Sequence, residues 1–560
     1  MTPLRFAPAL TLVVMLGPVL AGLAGTLLPA FGIMPALGRA EPTLAAFEAL
    51  AGWPGLPRAV GQSLGSGLIA TALALVVTML ICAGWQGTRA FGWLERALSP
   101  LLSVPHAAAA FGLAFLIAPS GWIARALAPL AGWERPPDLL IVQDPLCLSL
   151  IAGLVVKEVP FLLLMTLAAL PALRPGQSLN TARALGYGRS TGWLKTIFPR
   201  LYPQIRLPLY AVLAYSMSVV DVAMILGPNT PPTLSVQVLR WMNDPDLDMR
   251  LQAAAGAVLQ LVLTVAALGL WRLGEMVIAR LGHGWLESGA PGPHDGALRG
   301  AALVLGTLCA AAVFLGLAAL AVWSVAGFWG FPAFLPDAFT LKSWMRQGPA
   351  LLSPALQTAT IALAAVAVAL VLVTACLEAE DRFGLRPSTR ALWLLYLPLI
   401  VPQIAFLPGL QILALVSGVD GTRAAVIAVH VVFVLPYVFL SLSDPWRAWD
   451  RRHATVARAL GAGPSGVFWR VRLPMMLRPL LTAAAIGCAV SVGQFLPTLL
   501  LGAGRVPTLT TEAVALASGG ARRVIGVTAL AQTAAAFLPF ALALLVPALV
   551  WRNRRGLRHG

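Results

Sequence analysis

Twelve apolar runs, most of them long enough to cross a bilayer, leave this chain few ways to fold. They lie near 7–30, 62–84, 98–118, 146–170, 206–227, 251–273, 300–326, 355–377, 391–415, 424–443, 480–502 and 524–550. A span of about 20 apolar residues crosses the hydrocarbon as an α-helix. Apolar residues make up 59% of the chain and charged ones 11%, against roughly 25% charged in soluble domains. The expectation is an all-α integral membrane protein with about twelve transmembrane helices. Pro100, Pro105, Pro398, Pro402 and Pro408 interrupt the third and ninth runs, which lipid tolerates when neighbours satisfy the freed backbone groups.

A net charge of +17 would suit a nucleic-acid binder if it were gathered on a soluble surface. Its distribution argues otherwise. With the N-terminus placed in the cytosol, the loops on that side carry the basic excess, while the opposite loops nearly balance Lys and Arg against Asp and Glu. This is the positive-inside pattern of a multi-pass protein of the bacterial cytoplasmic (inner) membrane, with both termini cytosolic and lipid, not nucleic acid, around it. Residues 7–30 exceed the about 7–15 of a signal-peptide core, so the run is expected to stay as the first span. Cys82, Cys147, Cys309, Cys376 and Cys488 stand singly in apolar runs without metal-ligand spacing, and are expected in the core. Trp53, Trp85, Trp241, Trp271, Trp344 and Trp551 fit interface anchors.

The chain also repeats itself. Ala182-Arg-Ala-Leu-Gly-Tyr-Gly188 returns as Ala457-Arg-Ala-Leu-Gly-Ala-Gly463, and each copy reaches a proline thirteen residues after its central glycine, at Pro199 and Pro474. The same offset sets Pro232-Thr-Leu234 on Pro507-Thr-Leu509. Neighbouring offsets set Ser218-Val-Val-Asp221 on Ser491-Val-Gly-Gln494, and Val104-Pro105 on Val401-Pro402. Six spans separate corresponding points; six is even, so two parallel six-helix repeats are expected, related by an axis along the membrane normal. The halves are 1–285 and 286–560. Their seam falls in 276–299, where Gly282-His-Gly284, Pro291-Gly-Pro293 and mixed charges suggest a solvated linker.

Both copies of the repeated loop, 178–203 and 451–479, fall on the cytosolic face. In the first, Ser178 or Asn180 can cap a short helix ending at Leu185, and Gly186 with Gly188 suits a left-handed turn. A second short helix then runs from near Ser190, or from Pro464-Ser465, to the residue before Pro199 or Pro474. Ala182, Leu185, Trp193, Leu194 and Ile197, and in the other copy Ala457, Leu460, Phe468, Trp469 and Val471, could fill a groove on a soluble protein. A basic loop lying on lipid headgroups is the plainer alternative; duplication in register favours docking.

At these residues the chain resembles the permease subunits of binding-protein-dependent ABC importers. Their cytosolic coupling loop reads Glu-Ala-Ala, three residues, Gly, nine residues, Ile, one residue, Leu-Pro. Asn180-Thr181-Ala182, Gly186, Thr196 and Phe198-Pro199 occupy that pattern in the first half. Thr455-Val456-Ala457, Gly461, Val471 and Leu473-Pro474 occupy it in the second, with Leu185 and Leu460 preceding the glycines. Asn180 and Thr455 replace the family's glutamate, so its polar contact with the ATPase is expected to be lost or made by an amide or hydroxyl, with docking resting on apolar burial and glycine geometry more than on a salt bridge. The fused arrangement is similar to the single-chain permeases of the ferric-iron and thiamine importer group. The resemblance implies two copies of a cytosolic ABC ATPase, one per loop, a periplasmic or lipid-anchored solute-binding protein, and alternating access. ATP and Mg are expected on the ATPase. No Gly-x-x-x-x-Gly-Lys-[Ser/Thr] pattern occurs here, so the chain is expected to be a transport subunit with no catalytic residue or cofactor of its own.

Ionisable residues inside spans are costly and are therefore functional candidates. Asp221 with Ser218, and their repeat counterparts Gln494 with Ser491, are the candidate pathway residues. An interhelical hydrogen bond that only holds the bundle is the competing role. Lys157-Glu158, just before Pro160, reads as an internal ion pair or a polar kink, and His106 and His430 as satisfied packing residues rather than metal ligands. A major-facilitator-type secondary transporter is the alternative, because Asp381-Arg-Phe-Gly-Leu-Arg386 resembles that family's loop. The matching stretch Gln86–Gly92 lacks the aspartate, and facilitators do not repeat the glycine-to-proline loop. A membrane-embedded enzyme finds no paired carboxylates, His-rich cluster or nucleophile elbow to support it.

Overall fold

The computed structural model describes residues 3–35, 38–290, 292, 295–385 and 389–550. Pro291, Pro293, Arg386 and Trp551 lie outside them. Among the described residues the chain is helical, with two isolated bridges and no β-strand. Among the described residues, nine helices are long and apolar enough to cross a membrane, and up to eleven candidate spans result if two sharply bent pairs each count as one. The predicted run 206–227 is absent from that set. It forms the helix Phe198–Ser218, which carries Arg200 and Arg206 and stops at Val219-Val220 before a short helix Asp221–Leu226.

Such breaks come in matched pairs. The run 480–502 divides in the same way, into Leu477–Val492 and Leu496–Gly502. The third and ninth runs break at Pro105 and Pro402, where each proline holds φ near its fixed value, −58° and −53°, and opens a new helix, His106–Ile117 or Gln403–Val416. At the second of these the two helix segments meet at 84°.

The two halves are interlocked. Helix Ala7–Ala30 packs on Gln403–Val416 of the second half, and Gly296–Val325 packs on His106–Ile117 of the first. Glycine makes both crossings possible: a Cβ on Gly409 would lie 2.0 Å from the Gly22 carbonyl oxygen, and one on Gly112 would lie 2.8 Å from the Gly316 carbonyl carbon. Lipid supplies no hydrophobic drive for helix association, so close backbone approach and hydrogen bonds carry it. Thr26 contributes one such bond, its Oγ1 accepting the Gly409 N–H at 3.0 Å.

A second duplicated contact ties an outer helix to each half. The Leu234 N–H, at the start of Leu234–Met242, donates to Ser63 Oγ, and the Leu509 N–H, at the start of Leu509–Ala515, donates to Thr358 Oγ1, both at 3.0 Å. These are the two copies of the Pro-Thr-Leu landmark. The expected linker 276–299 is shorter than its composition suggested: helix Met249–Glu287 runs through Gly282 and Gly284, and the next helix starts at Gly296. All five cysteines are free and buried. Trp241 is a core residue, packed edge-on against Trp53 at 5.0 Å, not an interface anchor.

Candidate functional site

The two repeated loops share one glycine elbow, although the segment after it is the α-helix Arg189–Thr196 in the first copy and a short α turn, Pro464–Val467, running into a π-helical stretch, Phe468–Arg472, in the second. Helix Pro175–Ala184 ends in Gly186 at φ +84°, and helix Arg452–Ala459 ends in Gly461 at φ +86°. The closing bonds match one for one: Tyr187 N–H to Ala182 O at 3.1 Å and Ala462 N–H to Ala457 O at 2.9 Å; Gly186 N–H to Arg183 O at 3.0 Å and Gly461 N–H to Arg458 O at 2.9 Å. This is the left-handed helix stop that glycine permits without steric cost. Gly188 is different, with φ −59° at the start of helix Arg189–Thr196. Neither Ser178 nor Asn180 caps the first helix. Pro175, with its preset φ, starts it earlier and without a side-chain cap.

Exposure divides the motif residues. Leu185 and Leu460, at equivalent positions beside the elbow, are 71% and 83% exposed. Asn180, Thr181, Thr455, Val456, Gly186, Gly461, Pro199 and Pro474 are also exposed, while Phe198, Leu473 and Ala457 are half-buried and Ala182 is buried. Trp193 and Ile197, expected on a docking surface, are fully buried instead and anchor the first loop from within. The indole N–H of Trp193 donates to Gln86 Oε1 at 2.7 Å, and Asp295 accepts the Ser190 N–H at 2.7 Å. Lys195 lies between the rings of Tyr187 and Trp285 and donates to Ser288 O at 2.6 Å. Burial, with Arg183 and Arg299 nearby, lowers the pKa of Arg189.

The second loop is anchored by charge. Arg472, at the position of Ile197, donates to Glu378 at 3.0 Å, to Asp381 at 2.8 Å and to the Trp446 carbonyl at 3.0 Å. Arg451 pairs with Asp381, and Arg382 with Glu378 at 2.7 Å. The described part of the facilitator-like segment thus serves as a bracket for the second loop.

Between the halves lies a cavity of about 650 Å³. All four helix breaks reach it, through Pro105, Val219-Val220, Val401 and Gly493-Gln494. Much of its remaining wall comes from the ends of helices that lead to the loops, residues 157–168 of Leu148–Ala169, 433–441 of Arg423–Arg447 and 482–490 of Leu477–Val492, joined by Tyr215 of Phe198–Ser218, Tyr396 of Thr389–Ile400 and Phe540 of Arg522–Val550. The cavity therefore extends from the breaks toward the loop face.

Ser218, Asp221 and Gln494 line this cavity; Ser491 does not. Its hydroxyl pairs with His430 Nδ1 at 2.8 Å, while His430 Nε2 pairs with Thr498 at 2.9 Å, so the imidazole staples the helices on either side of the second break. Lys157 and Glu158 are not an ion pair. The Lys157 ammonium donates to Leu101 O at 2.9 Å and Val104 O at 2.6 Å, carbonyls released at the Pro105 break. His106 leaves Nδ1 without a partner, against the satisfied packing role expected of it, and its ring lies 4.9 Å from Tyr215. Gln260 and Gln532 escaped notice in the sequence. Gln260 bonds the Met217 carbonyl at 3.2 Å beside one break, and Gln532 bonds Thr510, itself bonded to Val492 beside the other. A glutamine at matching places in two apolar runs was the available signal. No group of three metal-ligating side chains occurs among the described residues.

Paired helix breaks around a central cavity, with a duplicated loop on one face, define a transport subunit rather than an enzyme. The chain belongs to the permease subunits of binding-protein-dependent ABC importers, multi-pass proteins of the inner membrane. It is 34% identical over 566 residues, covering 100% of both chains, to the inner membrane ABC transporter permease protein YnjC of Escherichia coli (strain K12). Residues 381–553 match the family described as binding-protein-dependent transport system inner membrane component. Partial likenesses are to the molybdenum transport system permease protein ModB of Mycobacterium bovis, 31% identical over 29% of this chain and 68% of that protein, and to the putative 2-aminoethylphosphonate transport system permease protein PhnV of Salmonella typhimurium, 26% identical over 37% and 77%. Permeases of this family work with an ATPase and a solute-binding protein; a facilitator-type mechanism is not favoured.

Proposed function

We propose that the two loops, centred on Gly186 and Gly461, each dock one copy of the ATPase, and that the central cavity is the solute path caught open toward the ATPase side. The carrying observation is that the cavity and both loops lie on the same side of the four helix breaks. Exposed Leu185 and Leu460 are the docking knobs, and Thr181 and Val456 flank them. ATP and Mg bind on the partner. Solute arrives from the opposite face, and both termini are cytosolic, as the distribution of Lys and Arg supports.

ATPase closure then pushes both loops together and rocks the halves about the breaks, exposing the cavity to alternate faces. The interlocked first helices make this a coupled motion of the whole bundle. The finer kinship is with the ferric-iron and thiamine importer group, on the strength of the fused two-half chain. The solutes named for ModB and PhnV do not carry over on matches covering 29% and 37% of this chain. Vesicles holding the chain, its ATPase and its binding protein should accumulate solute only with ATP inside reach of the ATPase. Uptake driven by a proton gradient with the ATPase absent would sink this reading.

A further inference from the structure

We infer that Asp295 and Lys195 are positioning residues for coupling: they strap the first loop to the linker between the halves, so that the loop moves as one body with the leading helix of the second half. This rests on the loops being the ATPase docking elements. The loop helix Arg189–Thr196 has Gly188 as its N-cap and no side-chain cap from its own segment. Asp295, 105 residues further on, supplies one, its carboxylate accepting the Ser190 N–H at 2.7 Å. An anion there also complements the positive end of the helix. At the other end Lys195 donates to the Ser288 carbonyl at 2.6 Å and to the Ala290 carbonyl at 3.4 Å. Between these points the linker lies so close that a Cβ on Gly292, at φ +83°, would sit 2.3 Å from Thr191 Oγ1. Contacts at Ser190, Thr191 and Lys195 thus fix both ends of the loop helix to the linker.

Asp295 belongs at the same time to the next helix. It is the N-cap residue of Gly296–Val325, yet its side chain makes no cap there, and only its carbonyl engages, accepting the Arg299 N–H at 2.9 Å. Arg299 in turn donates to Gly84 O at 3.2 Å, and its carbonyl accepts the Trp85 indole N–H at 2.8 Å. The adjacent Gln86 holds the Trp193 indole. The loop helix, the linker and the loop-side ends of two spans therefore close a ring of bonds, a contiguous path for displacement. Movement of the first loop is passed to Gly296–Val325, and through the Gly112–Gly316 crossing to His106–Ile117, the helix that opens at the cavity. The bracket of the second loop stays within its own half, among Glu378, Asp381, Arg382, Trp446, Arg451 and Arg472. The first loop acts on both halves through a connection that this bracket does not make.

The test uses the full chain carrying Ser441→Cys on the cavity wall, in complex with its ATPase in lipid nanodiscs. N-ethylmaleimide labels position 441, read by mass spectrometry, without nucleotide and with ATP and vanadate to hold the ATPase closed; hydrolysis is measured alongside without vanadate. In this parent, closure should slow labelling at least about tenfold. Asp295→Ala and Lys195→Met should each keep hydrolysis and cut that protection to about twofold or less, while Asp295→Asn, which retains an acceptor oxygen, should keep most of it. Gly188→Cys with Asp295→Cys makes the strap switchable, because a Cβ on Gly188 would lie 3.4 Å from Asp295 Cγ, within disulfide reach of a sulfur placed there. Reduced, the pair should behave like Asp295→Ala; oxidised, it should recover the protection of the parent. Full protection in Asp295→Ala with only the yield of complex lowered, protection lost in the oxidised pair, or no cross-link at all would each overturn the strap. Failure of the docking reading is seen separately, as a parent chain that retains no ATPase or whose labelling ignores ATP.

Discussion

Replacing Arg472 with methionine isolates what anchors the second loop. Methionine keeps much of the stem's volume and removes the guanidinium, which is 5% exposed and holds Glu378, Asp381 and the Trp446 carbonyl within 3.0 Å. Breaking a buried ion pair from one side costs about 3–5 kcal/mol. The lower end applies, because Glu378 keeps Arg382 and Asp381 keeps Arg451. About 3 kcal/mol, in a cooperative unit of roughly half the chain, lowers the thermal midpoint by about 6 °C. The assay is a double-mutant cycle with Glu378→Gln on purified protein. The two changes share one interaction, so the combined loss should fall short of the sum by at least about 1 kcal/mol. Strict additivity would refute the bracket. The equivalent residue in the first loop, Ile197, is fully buried, so Ile197→Ala should cost about 2–5 kcal/mol through the cavity it leaves and show no coupling to Glu378.

Other outcomes follow from the same geometry. Gly409→Leu forces a side chain into space where a Cβ alone would sit 2.0 Å from the Gly22 carbonyl oxygen, so folded yield should collapse, while Gly17→Ala, with nothing within 4 Å, should be silent; size-exclusion profiles distinguish them. Gly186→Val with Gly461→Val places β-branched residues at φ +84° and +86°, costing about 1–2 kcal/mol each; hydrolysis should persist while solute uptake falls, measured side by side. Lys157→Met strands the Val104 carbonyl at the Pro105 break, while the Leu101 carbonyl keeps the Val104 N–H at 3.3 Å, and should cost about 1–3 kcal/mol, read as a lower thermal midpoint together with reduced uptake.

Helix placement was largely legible because lipid demands length, and length is visible in an apolar run. The duplicated glycine elbow was legible for a similar reason: Gly186 and Gly461 occupy a backbone region that few other residues tolerate. The breaks at Val219-Val220 and at 493–495 were hidden. Nothing in Val219-Val220 marks a stop, and Asp221 reads equally well as part of one continuous helix. The partners of Lys157 lie 53 and 56 residues back in the chain, so adjacency to Glu158 suggested an ion pair that distance does not support. The first loop's inward-facing Trp193 shows the same limit, since apolar residues on a short surface helix do not say which face is covered. The interlocking of the halves was unreadable for want of any mark on Gly112 or Gly409 that names a partner.

Native mass spectrometry of this chain co-expressed with its ATPase tests the central claim most directly. Two ATPase copies per chain are expected, with Leu185→Asp or Leu460→Asp alone reducing the count to one and the pair of changes reducing it to none. A single ATPase on the unaltered chain, or two retained when both leucines carry a charge, would contradict the assignment of the two repeated loops as the docking elements.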